Sequence, residues 1–322
     1  MSDRFKVISM FSGCGGMDLG FVGGFEVFGQ RYPALPFEVI WANDHNPFAC
    51  QTYRRNLKHD ILHGDVWKAM ESLPRSTDLV IGGFPCQDIS VNGKRAGVNG
   101  RRSGLYQAMV EVIASTKPRV FVAENVKGLL MKYNQDSLRK VISDFRGLGY
   151  EVDFRLYNAA SYGVPQYRER VFIVGTSKKT KQFSPPAPKR SPAHWITAKE
   201  AIGDLESVGE FEVANHTWSR ANKSPEQGNR KLRSDRPAHT IRAECHGNIQ
   251  YHYKLPRRIS MREAARFQSF PDSFVFESKL RETERQVGNA VPPVLAWHIA
   301  NAVSETLAPV AKRRETLELV LQ

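Results

Sequence analysis

The chain has 322 residues, 41% of them hydrophobic, so it can bury a sizeable core, and a disordered polymer is excluded. Its four cysteines, Cys14, Cys50, Cys86 and Cys245, show no paired spacing, which argues against a disulfide framework or a zinc ribbon and for a reducing compartment. The formal charge of +13 is clustered and points to a polyanionic partner: sixteen Lys and Arg face eight Asp and Glu in residues 176–258, and residues 92–103 hold four basic side chains and no acid.

The opening "MSDRFKVISMF" is polar and then enters a strand pattern; without a long apolar segment to export or anchor the chain, a cytoplasmic protein that avoids membranes is expected. Short runs rich in Val, Ile and Phe follow at 5–11, 37–43, 78–84, 119–125 and 170–176, the composition of buried parallel strands. Amphipathic stretches lie between them, among them 104–115 and 136–148, the second with Asp136 placed to cap. This alternation predicts an α/β fold, a Rossmann-like doubly wound and mostly parallel sheet. After Gly175 the Pro- and Lys-rich "KKTKQFSPPAPKRSP" opens a polar stretch to about residue 258. Helical periodicity returns at 260–270, and 286–307 reads as a loop and then a helix. The expected organisation is one domain from 1–177 plus 285–322 and a smaller one from 178–284, without internal repeats.

In such sheets function gathers at the carboxyl ends of the strands. The first strand runs into "FSGCGGMDLGF", whose Gly13, Gly15 and Gly16 let a ligand approach the backbone, although the spacing is not the dinucleotide G-x-G-x-x-G. The second strand ends at Asp44, placed for ribose hydroxyls, and Asp65 in "HGDV" is placed for an adenine amine. Singly, each acid reads more simply as a cap or turn residue; in order, glycine loop, acid and acid describe an adenosine-binding crevice. Pro85 restricts the backbone on both sides, so Cys86 in "GGFPCQDIS" is presented, whereas the other three cysteines read as small buried hydrophobes. Glu124 ends an apolar strand, where a carboxylate is expensive unless used. Arg168 and Arg170, in "QYRER", stand at the entry to the strand 170–176, and all three are expected at the edge that carries Cys86.

At these residues the sequence resembles the DNA cytosine carbon-5 methyltransferases. "FSGCGGMDLGF", "GGFPCQDIS", "ENV", "QYRER", "REAARFQSFPDSF" and "QVGNAVPPVLA" match that family's signatures in order over nearly the whole chain, leaving 178–257 without strong resemblance. Asp44 stands where the family usually has Glu, residues 25–36 look like an added excursion, and Asn92 replaces a small residue. The resemblance implies methyl transfer from S-adenosyl-L-methionine, yielding S-adenosyl-L-homocysteine, to a flipped-out cytosine in a short double-stranded DNA sequence. It assigns Cys86 as nucleophile, Glu124 to the ring nitrogen and amine, Arg170 to the ring carbonyl and Arg168 to the orienting network. It puts Phe11, Gly13, Gly15, Gly16, Asp44, His45, Asp65, Val66, Pro85, Leu105, Asn289 and Ala290 at the cofactor. Gln87, Ser90, Lys94, Arg95, Arg101 and Arg102 fall to the DNA through a loop made mobile by glycines, and Arg233, Thr240, Ile241 and Arg242 to sequence reading.

No metal is expected, since His239, Cys245, His246 and His252 fit no common zinc spacing. A monomer is expected, and whether a cognate restriction endonuclease acts alongside is left open. The rivals are RNA cytosine methylation on the same scaffold, a NAD-dependent dehydrogenase and a DNA-binding regulator without catalysis. The glycine spacing disfavours the dehydrogenase, and Cys86 with Glu124 disfavours the regulator. If residues 92–103 clamp phosphates, Arg101→Ala or Arg102→Ala should lower the salt slope of DNA binding by about one charge equivalent in titrations across ionic strength.

Overall fold

A computed structural model describes residues 4–84, 104–223, 229–244 and 249–309. The strands are β1 (Phe5–Met10), β2 (Phe25–Val27), β3 (Gln30–Tyr32), β4 (Phe37–Asp44), β5 (Leu62–His63), β6 (Leu79–Gly83), β7 (Val120–Val126), β8 (Tyr150–Asn158) and β9 (Glu169–Ser177). The helices are α1 (Gly16–Val22), α2 (Pro47–Asn56), α3 (Val66–Ala69), α4 (Leu105–Thr116), α5 (Gln135–Gly147), α6 (Ala198–Ile202), α7 (Met261–Phe267), α8 (Leu280–Asn289) and α9 (Pro293–Leu307).

Seven strands form one sheet in the order β5-β4-β1-β6-β7-β9-β8. From β5 to β7 every pairing is parallel. The expectation of a mostly parallel sheet therefore holds, but not for the strand at 170–176: β9 runs antiparallel to both β7 and β8. Buried on both faces, β9 has the same near-continuous apolar pattern as its parallel neighbours, so composition carries no sign of its direction.

Alternation along the strands divides two cores. Val7, Leu79, Ile81, Val120, Val122, Phe172 and Val174 meet α1, α2 and α9 on one face. Ile8, Val80, Phe121, Ala123, Val171 and Ile173 meet α4 and α5 on the other. A third core is built from residues 196–287 and Cys14, with Ile241, Phe267, Phe270 and Val287 in its interior. Residues 178–190 run against the sheet: Phe183 lies in the first core, and the Lys189 and Arg190 amides bond Ser161 O at 2.8 and 2.9 Å.

Local chemistry explains several boundaries. Asn46 caps α2, accepting from the Phe48 and Ala49 amides at 2.9 and 3.0 Å. Thr197 with Glu200, and Ser260 with Glu263, form capping boxes for α6 and α7. Asp136 does not cap α5; it lies inside the first turn, where the carboxylate meets the helix dipole and pairs with Arg139. Residues 286–289, expected as a loop, complete α8, whose end is held by Arg168 donating to Gly288 O and Gln268 donating to Ala290 O.

The excursion at 25–36 contains the β2–β3 hairpin, which packs on α9: Phe25 stacks on Tyr32, and Trp297 Nε1 donates to Pro33 O at 2.9 Å. Helices α1 and α9 touch closely at Gly20, where an added Cβ would come within 2.6 Å of Pro293 O. On α9, His298 is buried beside Tyr32, Tyr162 and Trp297. Burial, helped by Lys189, pushes it from 6.5 down to about 4. The unfolded chain therefore takes up this proton first, so stability falls as pH drops through that window and levels below it. The expected loss is about 3 kcal/mol at full extent. Urea titrations at neutral and acid pH should show it, and His298→Phe should flatten the dependence.

Candidate active site

The crevice where β1 lies between β4 and β6, the strands on which the chain reverses direction across the sheet, carries a cavity of about 480 Å³. This is the position at which open α/β sheets bind ligands. Its wall includes Phe11, Gly13, Gly16, Asp44, His45, Leu105, Glu124, Asn289 and Ala290. The structure thus brings the glycine loop, Asp44, Glu124 and the segment of Asn289 together.

The glycine loop is held from across the crevice. Gly13 N donates to Asp44 Oδ2 and Asn46 N to Asp44 Oδ1, both at 2.8 Å. Each oxygen keeps a second lone pair for a ligand. Gly13 has φ +57, and a Cβ there would meet nothing within 4 Å, so the loop leaves open space. Gly15 and Gly16 serve packing: an added Cβ at Gly15 would meet Tyr53 at 2.9 Å, and one at Gly16 would meet Val291 O at 2.5 Å. Gly15 does not line the cavity.

Two cofactor assignments receive no such position. Asp65 accepts the Trp67 amide at 2.9 Å and caps α3, and Val66 is buried in the second core; neither lines the cavity. The cap is made through Asp65 Oδ1. Cavity residues that sequence reasoning passed over include Ser9, Asp18, Gly82, Asn125, Arg285 and Gln286. Asp18, Gly82, Asn125 and Gln286 stand inside "FSGCGGMDLGF", "GGFPCQDIS", "ENV" and "QVGNAVPPVLA", which is their local signal; Ser9 and Arg285 have none.

Glu124 and Arg170 meet because β7 and β9 oppose one another. Glu124 pairs with Phe172 and Val126 with Arg170, so the two charged residues are diagonal neighbours on one face. Arg170 Nε lies 2.9 Å from Glu124 Oε1, with side chains 12% and 11% exposed. Burial pushes the Glu124 carboxyl up, against the opposing pull of Arg170 and Arg168. Burial thus favours the protonated form of this carboxyl, the form that can present a proton to a ring nitrogen.

Arg168 does a different job. Its guanidinium donates to Ile241 O at 3.2 Å, Gly288 O at 2.8 Å and Ala290 O at 2.9 Å, and it is 1% exposed. Gln166 and Gln268 extend this network. Gln166 accepts from Ile241 N at 2.9 Å and donates to Gln268 Oε1 at 3.0 Å, while Gln268 donates to Val287 O and Ala290 O. The buried amides and guanidinium thus join the strand that carries Arg170 to the segment that carries Asn289.

The DNA-reading assignments separate. Ile241 is 1% exposed in the third core, so its side chain is a packing element and not a base contact. Thr240 donates its hydroxyl to Tyr167 O at 2.5 Å. Arg233 grips Asp235 at 3.1 and 3.0 Å, and Arg242, 38% exposed, lies 3.7 Å from Glu244. Pro85, Cys86, Gln87, Ser90, Lys94, Arg95, Arg101 and Arg102 lie outside the described residues, as do Cys245 and His246. Burial raises Cys14 to about 12 and Cys50 to about 11, which keeps both as inert thiols. His252 accepts the Lys254 and Leu255 amides at 3.0 and 3.1 Å, a structural role. Among the described residues no helix is long and apolar enough to cross a membrane.

A doubly wound α/β enzyme with a nucleoside-sized crevice and a buried carboxyl–guanidinium pair on its rim is the class that fold and site define. The model of the C-5 cytosine-specific DNA methylase family matches residues 5–232 and 210–305. The chain is 35% identical to the type II methyltransferase M.NgoFVII of Neisseria gonorrhoeae, over 94% of this chain and 87% of that protein. It is 34% identical to the type II methyltransferase M.FnuDI of Fusobacterium nucleatum, over 97% and 98% of the two chains. The fold is shared with the S. pombe Dnmt2 methyltransferase at a TM-score of 0.66 and 18% identity, covering 94% of this chain and 99% of that one. The chain belongs to the C-5 cytosine-specific DNA methylase family. It is a DNA cytosine methyltransferase, and the RNA alternative gives way to the DNA reading.

Arg168→Lys should lower stability by about 2 kcal/mol, because one ammonium cannot reach three carbonyls spread over two segments. Arg168→Ala, which leaves all three without this donor, should cost more. Denaturant midpoints at constant slope check both.

Proposed function

We propose that the enzyme methylates carbon 5 of a cytosine flipped out of a short double-stranded DNA sequence, using S-adenosyl-L-methionine held in the β1–β4–β6 crevice. The observation that carries this reading is the buried Glu124–Arg170 pair, 2.9 Å apart, at the carboxyl edge that also forms the crevice. An ion pair taken out of water without a ligand to use it is seldom a gain in stability.

The crevice fits the cofactor. Asp44 keeps lone pairs for two ribose hydroxyls, the loop at Gly13 leaves room, Phe11 and Leu105 offer apolar surface to an adenine ring, and Asn289 and Ala290 also line the cavity, Ala290 beside Gly16. S-adenosyl-L-methionine, when bound, supplies an electrophilic methyl group.

The chain's residues do the rest. Carbon 5 of cytosine is a weak nucleophile, so the ring must first be activated. Cys86 adds as thiolate to carbon 6. Glu124 gives its proton to ring nitrogen 3 and accepts from the exocyclic amine, and Arg170 holds the ring carbonyl. The electron pair released into carbon 5 takes the methyl group. Loss of the carbon-5 proton and expulsion of Cys86 restore the aromatic ring. Arg168 touches no reacting atom in this scheme; it positions the strand and the terminal segment.

Extrusion of the base costs a few kcal/mol, repaid by contacts to the opened duplex, and the basic loop 92–103 is the element assigned to make them. Arg233, Thr240 and Arg242 in the segment 178–284 remain assigned to the DNA surface; Arg233 would exchange Asp235 for a guanine edge or a phosphate. The type II relatives support a role as the modifying partner of a restriction system.

Duplex DNA carrying 5-fluorocytosine cannot lose a proton from carbon 5, so the wild type with cofactor should form an adduct that survives denaturing electrophoresis. Cys86→Ser should form none. Glu124→Gln should lower turnover at least about a hundredfold, as removal of a general acid does. Absence of the wild-type adduct, or turnover by Cys86→Ser, refutes the scheme.

A further inference from the structure

One carboxylate in the cavity wall has half of its bonding capacity unused. Asp18 stands in the first turn of α1, is 0% exposed and lines the same cavity as Gly13, Asp44 and Glu124. Its Oδ1 accepts the Tyr53 hydroxyl at 2.7 Å. That hydroxyl in turn contacts His59 Nε2, whose other ring nitrogen lies 2.9 Å from Asp60 O. Asp18 is the acceptor at one end of this series of contacts. Asp18 Oδ2 has no hydrogen-bond partner among the described residues. The Ser9 side chain is a nearby hydrogen-bonding influence on the carboxyl, but it makes no bond of normal geometry to Oδ2; the Ser9 and Ser12 hydroxyls lie 2.8 Å apart, and Ser12 also reaches Ser9 O at 3.1 Å.

A buried carboxylate oxygen without a donor is costly, and the natural remedy is a cationic N–H. The other acids lining this cavity are engaged: Asp44 by two backbone amides and Glu124 by Arg170. On the reading of this cavity as the S-adenosyl-L-methionine site, the ligand carries two positive centres. The sulfonium has no hydrogen to donate; the α-ammonium has three. We infer that Asp18 Oδ2 binds the α-ammonium group of the cofactor, and that Tyr53 and His59 hold the carboxylate in place for it. Asp18 is then a binding residue for the amino-acid end of the ligand, separate from the ribose contact assigned to Asp44. Asp18 binds the amine of substrate and product cofactor alike, because S-adenosyl-L-homocysteine keeps that group.

Calorimetric titration with S-adenosyl-L-homocysteine and with its deaminated analogue, in which hydrogen replaces the amine, separates direct contact from mere packing. Wild type should bind the analogue at least about tenfold more weakly, the size expected for one charge-assisted hydrogen bond. Asp18→Asn, which keeps the shape and an acceptor for Tyr53, should lose about the same factor for S-adenosyl-L-homocysteine and leave the analogue within about twofold. Equal weakening of both ligands by the substitution would make Asp18 structural and overturn the inference. So would equal affinity of the wild type for both ligands, a comparison that holds even if the variant does not fold. If the wild type binds neither S-adenosyl-L-methionine nor S-adenosyl-L-homocysteine, it is the cofactor reading that fails.

Discussion

The ion pair between Glu124 and Arg170 is the constraint on which the active edge depends. Each charge alone, at this burial, would be strongly destabilising, and removal of either partner typically costs about 3–5 kcal/mol. The pair exists because β9 enters the sheet against the direction of β7, bringing the first residues of one strand to the last residues of the other. In a parallel β9, Arg170 would lie at the opposite edge, a full strand length from the acid. The reversal of β9 is therefore what creates the pair.

Behind that pair, Arg168 shares a strand with Arg170 but points its guanidinium at backbone carbonyls of two other segments. Gln166 and Gln268 bond the same neighbourhood with side-chain amides. Buried polar groups of this kind are rigid only when nearly every donor and acceptor is matched, and here the matches cross from β9 to residue 241 and to residues 287–290. The rim of the crevice and residue 241 of the polar segment are thus held from one place.

Much of this was legible in the sequence because the groups that carry chemistry sit in short local patterns. The glycine loop, Asp44, Glu124 and the Arg168–Arg170 pair could be placed at strand ends from apolar runs alone, since a buried strand and its terminal polar residue are adjacent in the chain. Strand direction was not legible, because a two-sided buried strand has the same composition either way. Nor was β8, an edge strand whose exposed Phe154, Arg155 and Leu156 break the alternation. Ile241 was assigned to sequence reading from the resemblance of its segment, which carries no sign that the third core closes around its side chain. Asp18 went unnoticed for a related reason: an acid in the first turn of a helix is ordinary, and only Tyr53, thirty-five residues away, makes it a fixed group.

The contact of α1 with α9 joins residues 16–22 to residues 293–307, and the second of these follows every strand of the sheet. During synthesis the strands can leave the ribosome and begin to pair while one face of the sheet still lacks its cover. The crevice, bounded by Asn289 and Ala290, closes only when nearly the whole chain has emerged. Such long-range closure slows folding and leaves apolar surface open in the interval. It also means that a nascent chain cannot acquire ligand piecemeal: the protein becomes competent in one late step, governed by translation time.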